Sequence, residues 1–242
     1  MIGLGTIINV VAIILGTLIG VLFHKCIPKR LEQTVIHGIG LSVCFIGISG
    51  VFSKMLFLQE GNLETKDTML MVASLVFGAV IGELINIEKW LELFGDFCKS
   101  RLTCGKTNSR FTEGFVSSSL LFCVGAMAIV GSLEDGLSGN SSTLFAKSLM
   151  DGTMSIFFAS TMGIGVCFSI IPVFVYQGGI TLLAGVIEPY LSQTLINRIS
   201  LVGSVLIFAI GINLLGEKRI KIGNLLPAVF VPVLYEIIIN LI

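Results

Sequence analysis

Residues 152–187, GTMSIFFASTMGIGVCFSIIPVFVYQGGITLLAGVI, contain not one charged side chain. About 20 such residues already cross the roughly 30 Å hydrocarbon core of a bilayer, so the run is too long for a single transmembrane helix. Pro172 followed by Gln177-Gly178-Gly179 supplies a break, because proline lacks the amide donor and Gly-Gly favours a turn. The expectation is two helices joined by a tight turn. Composition agrees: 54% of residues are hydrophobic and only 12% charged, against about 25% charged in an ordinary soluble domain, and the mean hydropathy is +0.99. No water-soluble fold hides that much apolar surface.

The same criterion places spans at 3–23, 35–53, 69–87, 114–133, 153–175, 178–194, 199–216 and 222–242. This predicts an all-α polytopic bundle of about eight transmembrane helices in a single integral membrane domain, or seven if the short 178–194 segment is not a full crossing. The first run lacks a basic leader and a small-residue cleavage site, so it reads as a retained helix, not a signal peptide. The formal net charge is zero, and the basic residues form short clusters instead of one face, which argues against nucleic acid as a partner. Cys44, Cys123 and Cys167 fall inside apolar runs, where cysteine acts as a small hydrophobe. Cys26 ends one, and Cys98 with Cys104 lacks the second Cys/His pair a zinc site needs. No metal or cofactor is expected.

Short cytoplasmic loops collect lysine and arginine. Lys25, Lys29 and Arg30 follow span one; Lys89, Lys99, Arg101, Lys106 and Arg110 follow span three; Lys218, Arg219 and Lys221 follow span seven. That is eleven of the fifteen basic residues. Both termini are then extracytoplasmic, with Asp67, Arg198 and Glu236 on the same outer side. His24 and His37 near the inner face, and Trp90 and Tyr176 beside their spans, read as interface residues.

An Ile-Gly pair recurs in the inner half of spans one, three, five and seven, within GTLIGVLF, GAVIGELI, MGIGVCFS and FAIGINLL. All four would run outside to inside. The unit is then a parallel helical hairpin of about 60 residues or, read as two halves, 1–133 and 134–242. The alternative is coincidence, since Ile-Gly also occurs at Ile2, Ile39, Ile46 and Ile222. Gly16/Gly20 and Gly78/Gly82 are G-x-x-x-G pairs, which let helix backbones approach closely in lipid.

Polar groups inside spans are the candidates for a solute path, because hydrocarbon penalises an unpaired charge by at least about 2.5–3.5 kcal/mol. Glu83 lies one residue past Gly82, with Lys89 the nearest basic residue in sequence. It is either a protonatable group in the path or a residue reaching the interface. Asn9 and Asn213 are either path residues or interhelical hydrogen-bonding groups. The stretch SLEDGLSGNSSTLFAKSLMDG, 132–152, mixes turn signals with apolar residues. It is either a solvated external hairpin or a re-entrant loop presenting Asp135, Asn140, Lys147 and Asp151 to an outer vestibule. Lys147 and Asp151, four residues apart, can pair on one helical face.

Together GTIINVVAIILGTLIG, GAVIGELINIE, LIFAIGINLLG and the central FCVGAMAIVGSLEDGLSGNSSTLFAKSLMDGTMSIFFASTMGIGVCFSIIPVFVYQG resemble the YqgA/YdfK-type bacterial integral membrane proteins. The resemblance covers almost the whole chain. It implies a bacterial plasma-membrane location and carries with it no substrate and no site residue.

No metalloprotease, nucleophile-elbow, Walker or Rossmann motif is present, so an enzyme is not expected. The main expectation is a small secondary transporter or channel for an ion or small solute, with Asn9, Glu83, Asp135, Asn140, Lys147, Asp151 and Asn213 as path candidates. The alternative is a non-transporting scaffold or regulator that binds partners through the basic loop 86–113. The bilayer is the expected partner throughout, and self-association through glycine faces is compatible with the sequence.

Overall fold

In a computed structural model of the chain, residues 2–24, 29–59, 62–90, 93, 110–123, 126–187, 192–216 and 220–241 are described. Most of the 86–113 loop, with Cys98 and Cys104, and Cys26 lie outside those residues. The elements in order are α1 (Leu4–His24), α2 (Lys29–Met55), β1 (Leu56–Gln59), β2 (Asn62–Thr65), α3 (Thr68–Ile85), α4 (Phe111–Cys123), α5 (Ala126–Ser138) and α6 (Ser142–Met162). A 3-10 segment (Gly163–Ser169) then leads to α7 (Ile170–Leu182), α8 (Ala184–Ile187), α9 (Gln193–Leu215), α10 (Ile222–Leu225), a second 3-10 segment (Leu226–Phe230) and α11 (Val231–Leu241). The expected all-α polytopic architecture is present, and the strands add only a two-stranded antiparallel hairpin pairing Leu56 with Thr65 and Gln59 with Asn62. Among the described residues six helical runs are long and apolar enough to cross a membrane, or seven if α4 and α5 form one bent crossing, with Ser142–Leu182 counted once; about eight, or seven, were expected.

The chain forms two compact units that interleave in sequence: residues 1–39 with 91–190, and residues 40–90 with 191–242. In the first, α1 and α6 run side by side in the same direction. A Cβ on Gly5 would meet Leu144, one on Gly16 would meet Gly152 and Ser155, and one on Gly20 would meet Ala159 and Ser160, so the contacts advance together along both helices. Packing in lipid rewards close approach of backbones, and small residues permit it. The α1 surface is correspondingly inverted relative to a soluble helix: Thr6, Asn9, Ile13 and Thr17 are buried, while Ile7, Val11, Leu15, Leu18 and Leu22 are exposed at helical spacing. This is the pattern of a helix whose outer face meets hydrocarbon.

The long uncharged run reverses at a different place from the one the sequence suggested. Asn9 Nδ2 donates to both Asp151 of α6 and Gln177 of α7. In one continuous helix those two acceptors, 177 − 151 = 26 residues apart, would stand about 39 Å from each other. The chain therefore folds back between them, at Gly163–Ser169. Gly163 ends α6 with φ 77° and ψ −155°, a backbone conformation open to glycine and strained for other residues. Pro172 is the third residue of α7, where its missing N–H removes no helical hydrogen bond. Gly178 and Gly179 continue the helix. The expected helices 153–175 and 178–194 are thus α6 and α7, shifted about eleven residues towards the N-terminus, and Ser142–Leu182, one apolar run by composition, holds both.

The expected span 114–133 is not one straight helix. It consists of two short helices, α4 and α5, with axes 59° apart. Each is about 20 Å long, less than the hydrocarbon thickness. No charge or proline interrupts the sequence there, so a hydropathy window runs straight through the bend.

The second unit packs antiparallel pairs. Gly40, Gly47 and Gly50 of α2 face Leu214, Phe208 and Ser204 of α9, while Gly78 and Gly82 of α3 face Ala228 and Asn224. Both G-x-x-x-G pairs are therefore helix-crossing points. Pro227 and Pro232 each stand at the second position of a helical piece, which divides the last apolar run into three. At one end of this unit Arg198 bonds Asp67 at 3.0 Å and Glu236 at 2.5 Å, and its guanidinium lies 5.2 Å from the Tyr235 ring centre. Three residues expected on one side of the membrane thus converge.

Candidate functional site

The first unit holds a buried polar cluster built from three helices. Lys147 and Asp151 lie one turn apart on α6 and form an ion pair, with Nζ 2.5 Å from Oδ2. The same Oδ2 accepts from Asn9 Nδ2 of α1 at 2.9 Å, and that amide also donates to Gln177 Oε1 of α7 at 3.2 Å. Asn9 and Gln177 are fully buried, and Lys147 and Asp151 retain 7% and 6% exposure. These four side chains sit within helices whose other faces are apolar, so burial is tolerable only because each charge has a partner.

The cluster's hydrogen bonding is incomplete. Asn9 Oδ1 and Gln177 Nε2 are buried without a partner among the described residues, as are Thr6 Oγ1, Ser132 Oγ and Thr181 Oγ1. Thr6 lies one turn before Asn9, and Thr181 one turn after Gln177, so both share the faces that carry the amides. Leaving a buried polar atom unpaired costs about 1–3 kcal/mol, and native interiors keep few of them. Hydroxyls in helices can fall back on a local carbonyl. An amide has no such recourse, so the two amide atoms are the more telling.

Asp135 works at the end of this assembly. Its Oδ2 accepts from the Gly5 N–H at 3.2 Å and its Oδ1 from the Ser141 hydroxyl at 2.8 Å. One carboxylate thereby sits at the N-terminal ends of α1 and α6, where the parallel helix dipoles both present partial positive charge. Glu134 accepts from Thr143 at 2.7 Å, and the exposed Asn140 accepts from the Ser142 N–H at 3.2 Å. Only Gly139–Ser141 is non-helical in the 132–152 stretch, with Gly139 closing α5 at φ 67°. The expected loop is a helix–turn–helix junction: its acidic residues hold the turn, and its Lys147–Asp151 pair belongs to α6. Asp135→Ala is expected to lower stability by about 2 kcal/mol by stranding the Gly5 amide and the Ser141 hydroxyl, measurable as a lowered melting temperature in detergent.

The other candidates lie in the second unit. Glu83 is more than half exposed and pairs with Lys221 at 2.6 Å; it also accepts from Asn224 Nδ2 at 2.6 Å. The hydrogen bond from Lys221 to Glu83, with the carboxylate's charge, raises the pKa of Lys221 above its ordinary value. Glu88 accepts from the Gly223 N–H, and the Glu88 backbone N–H donates to Asn224 Oδ1. These contacts join the end of α3 to the start of α10. Asn213 closes the connection from α9, bonding both the N–H and the carbonyl of Ile220 at 2.8 Å. The structure therefore brings together Asn9, Lys147 and Asp151, sets Asp135 and Asn140 at the adjoining helix ends, and gives Glu83 and Asn213 partners that fasten helix termini. Gln177 was missed because it reads as part of a turn, although it is the sole amide side chain in 152–187.

An all-α polytopic protein with inverted helix faces and a buried ion pair is an integral membrane protein. The chain belongs to the family described as "Protein of unknown function (DUF554)", whose model matches residues 4–237. It is 34% identical over 229 residues to "Uncharacterized membrane protein YdfK" of Bacillus subtilis (strain 168), covering 94% of this chain and 93% of that protein. It is 28% identical over 228 residues to "Uncharacterized protein YqgA" of Escherichia coli (strain K12), covering 93% and 92%. No solved structure matches the chain.

Proposed function

We propose that the protein is a small secondary transporter or channel of the bacterial plasma membrane, with both termini extracytoplasmic and its solute path passing the Asn9–Lys147–Asp151–Gln177 cluster. The observation carrying this reading is a buried, charged cluster whose amides keep an unpaired acceptor and an unpaired donor within the apolar interior of a membrane protein. A purely structural cluster gains nothing by leaving those atoms unpaired, whereas a binding site keeps them for its ligand. Burial of ionisable groups in a membrane helix is costly and so points to a path or a relay. The two short helices α4 and α5, bent against each other, belong to the type of broken helix that accompanies binding sites in transporters.

Reconstitution into liposomes loaded with pH- and cation-sensitive dyes, combined with uptake of a broad labelled solute panel, tests this. Flux is expected in the wild type and is expected to vanish in Asp151→Asn and in Lys147→Met. Glu83→Gln, in an exposed pair at a helix end, is expected to leave flux intact. Absence of flux for every solute and ion removes the reading.

A further inference from the structure

We propose that the cluster binds a small zwitterionic solute of the α-amino-acid class, and not a bare metal cation; this rests on the transport reading above. Charge and hydrogen-bond polarity both point there. Lys147 and Asp151 neutralise each other at 2.5 Å, so the site carries no net charge, and adding a lone cation would leave one uncompensated charge in a dry interior. A zwitterion adds none. Its ammonium finds Asp151, already an acceptor for Asn9 Nδ2, and the open acceptor Asn9 Oδ1. Its carboxylate finds Lys147 and the open donor Gln177 Nε2. One internal ion pair is thereby exchanged for two pairs to the ligand, with charge conserved and both orphaned amide atoms satisfied.

A metal cation would fit Asn9 Oδ1 but would face the amide N–H of Gln177 and the ammonium of Lys147, both of which repel it. The ligand must therefore present an acceptor and a donor on the same small body. The hydroxyls of Thr6 and Thr181, unpaired and one turn away, extend the polar surface in both directions. Glycine and alanine, which carry almost nothing beyond the two charged ends, are the probes of choice.

Calorimetric titration of the full chain in detergent with glycine, alanine, acetate, methylamine, acetamide, sodium and potassium tests the assignment, alongside uptake of labelled glycine and alanine into proteoliposomes. Glycine or alanine is expected to bind, with acetate, methylamine and acetamide weaker by about 100-fold because each lacks one charged end. Gln177→Met leaves the ion pair intact and is expected to weaken amino-acid binding about tenfold through the lost donor, which keeps the test independent of whether Asp151 variants fold. Cation flux with no amino-acid binding overturns the zwitterion assignment while leaving the transport reading standing. No binding and no flux of any kind overturns both. Equal binding of acetamide and glycine also overturns it, since charge would then play no part.

Discussion

Asp151→Ala is expected to destabilise the protein by about 3–5 kcal/mol, because it leaves the Lys147 ammonium buried with no counter-charge. Lys147 is 7% exposed and forms its ion pair with Asp151 alone among the described residues. The loss also frees Asn9 Nδ2 from its shorter bond. The double variant Lys147→Met, Asp151→Leu removes both charges and is expected to recover most of the lost stability, since apolar replacements for buried pairs are often neutral or better. Thermal unfolding in detergent of the wild type, the single variant and the double variant reads this directly. A double variant that folds well yet neither binds nor carries solute would separate the two roles of the pair. If Asp151→Ala melts with the wild type, the pair is hydrated and the cluster is not the dry site described above.

The sequence was informative wherever one local signal had one structural meaning. Uncharged runs of single-helix length became α1 and α3 almost unshifted, and the i, i+4 spacing of Lys147 and Asp151 became the observed ion pair. Signals with two meanings misled. Pro172 both breaks helices and starts them, and here it starts one. Gly163, which makes the reversal, is one of 28 glycines, and nothing local distinguishes it from those that serve packing. Long-range partnership was the larger gap. Glu83 looked isolated because its nearest basic neighbour in sequence is Lys89, yet its partner is Lys221, separated by 138 positions. Asn9 and Asp151 meet across 142 positions, and only the parallel course of α1 and α6 brings them together.

Gly16→Ala is expected to cost about 3 kcal/mol or more, at the upper end of overpacking penalties, and to abolish any solute binding along with it. The new methyl would land on the carbonyl of Gly152 and crowd Ser155. A backbone carbonyl inside a helix cannot swing aside as a side chain does, so the whole of α1 must move away from α6. Gly178→Ala is the matched comparison: among the described residues, nothing beyond its chain neighbours and its own helix backbone lies within 4 Å of the added carbon, and replacing glycine by alanine in a helix gains up to about 1 kcal/mol. Melting temperatures of the two variants are therefore expected to move in opposite directions. The coupling to the site follows from geometry. Asn9 stands two turns from Gly16 on the same buried face of α1, and its bond to Asp151 is 2.9 Å long, so displacing α1 by even 1 Å stretches it beyond hydrogen-bonding distance. The glycines of this interface thus set the separation at which an amide on one helix can reach a carboxylate on the other, and lipid, which supplies no hydrophobic force between helices, leaves that separation to them.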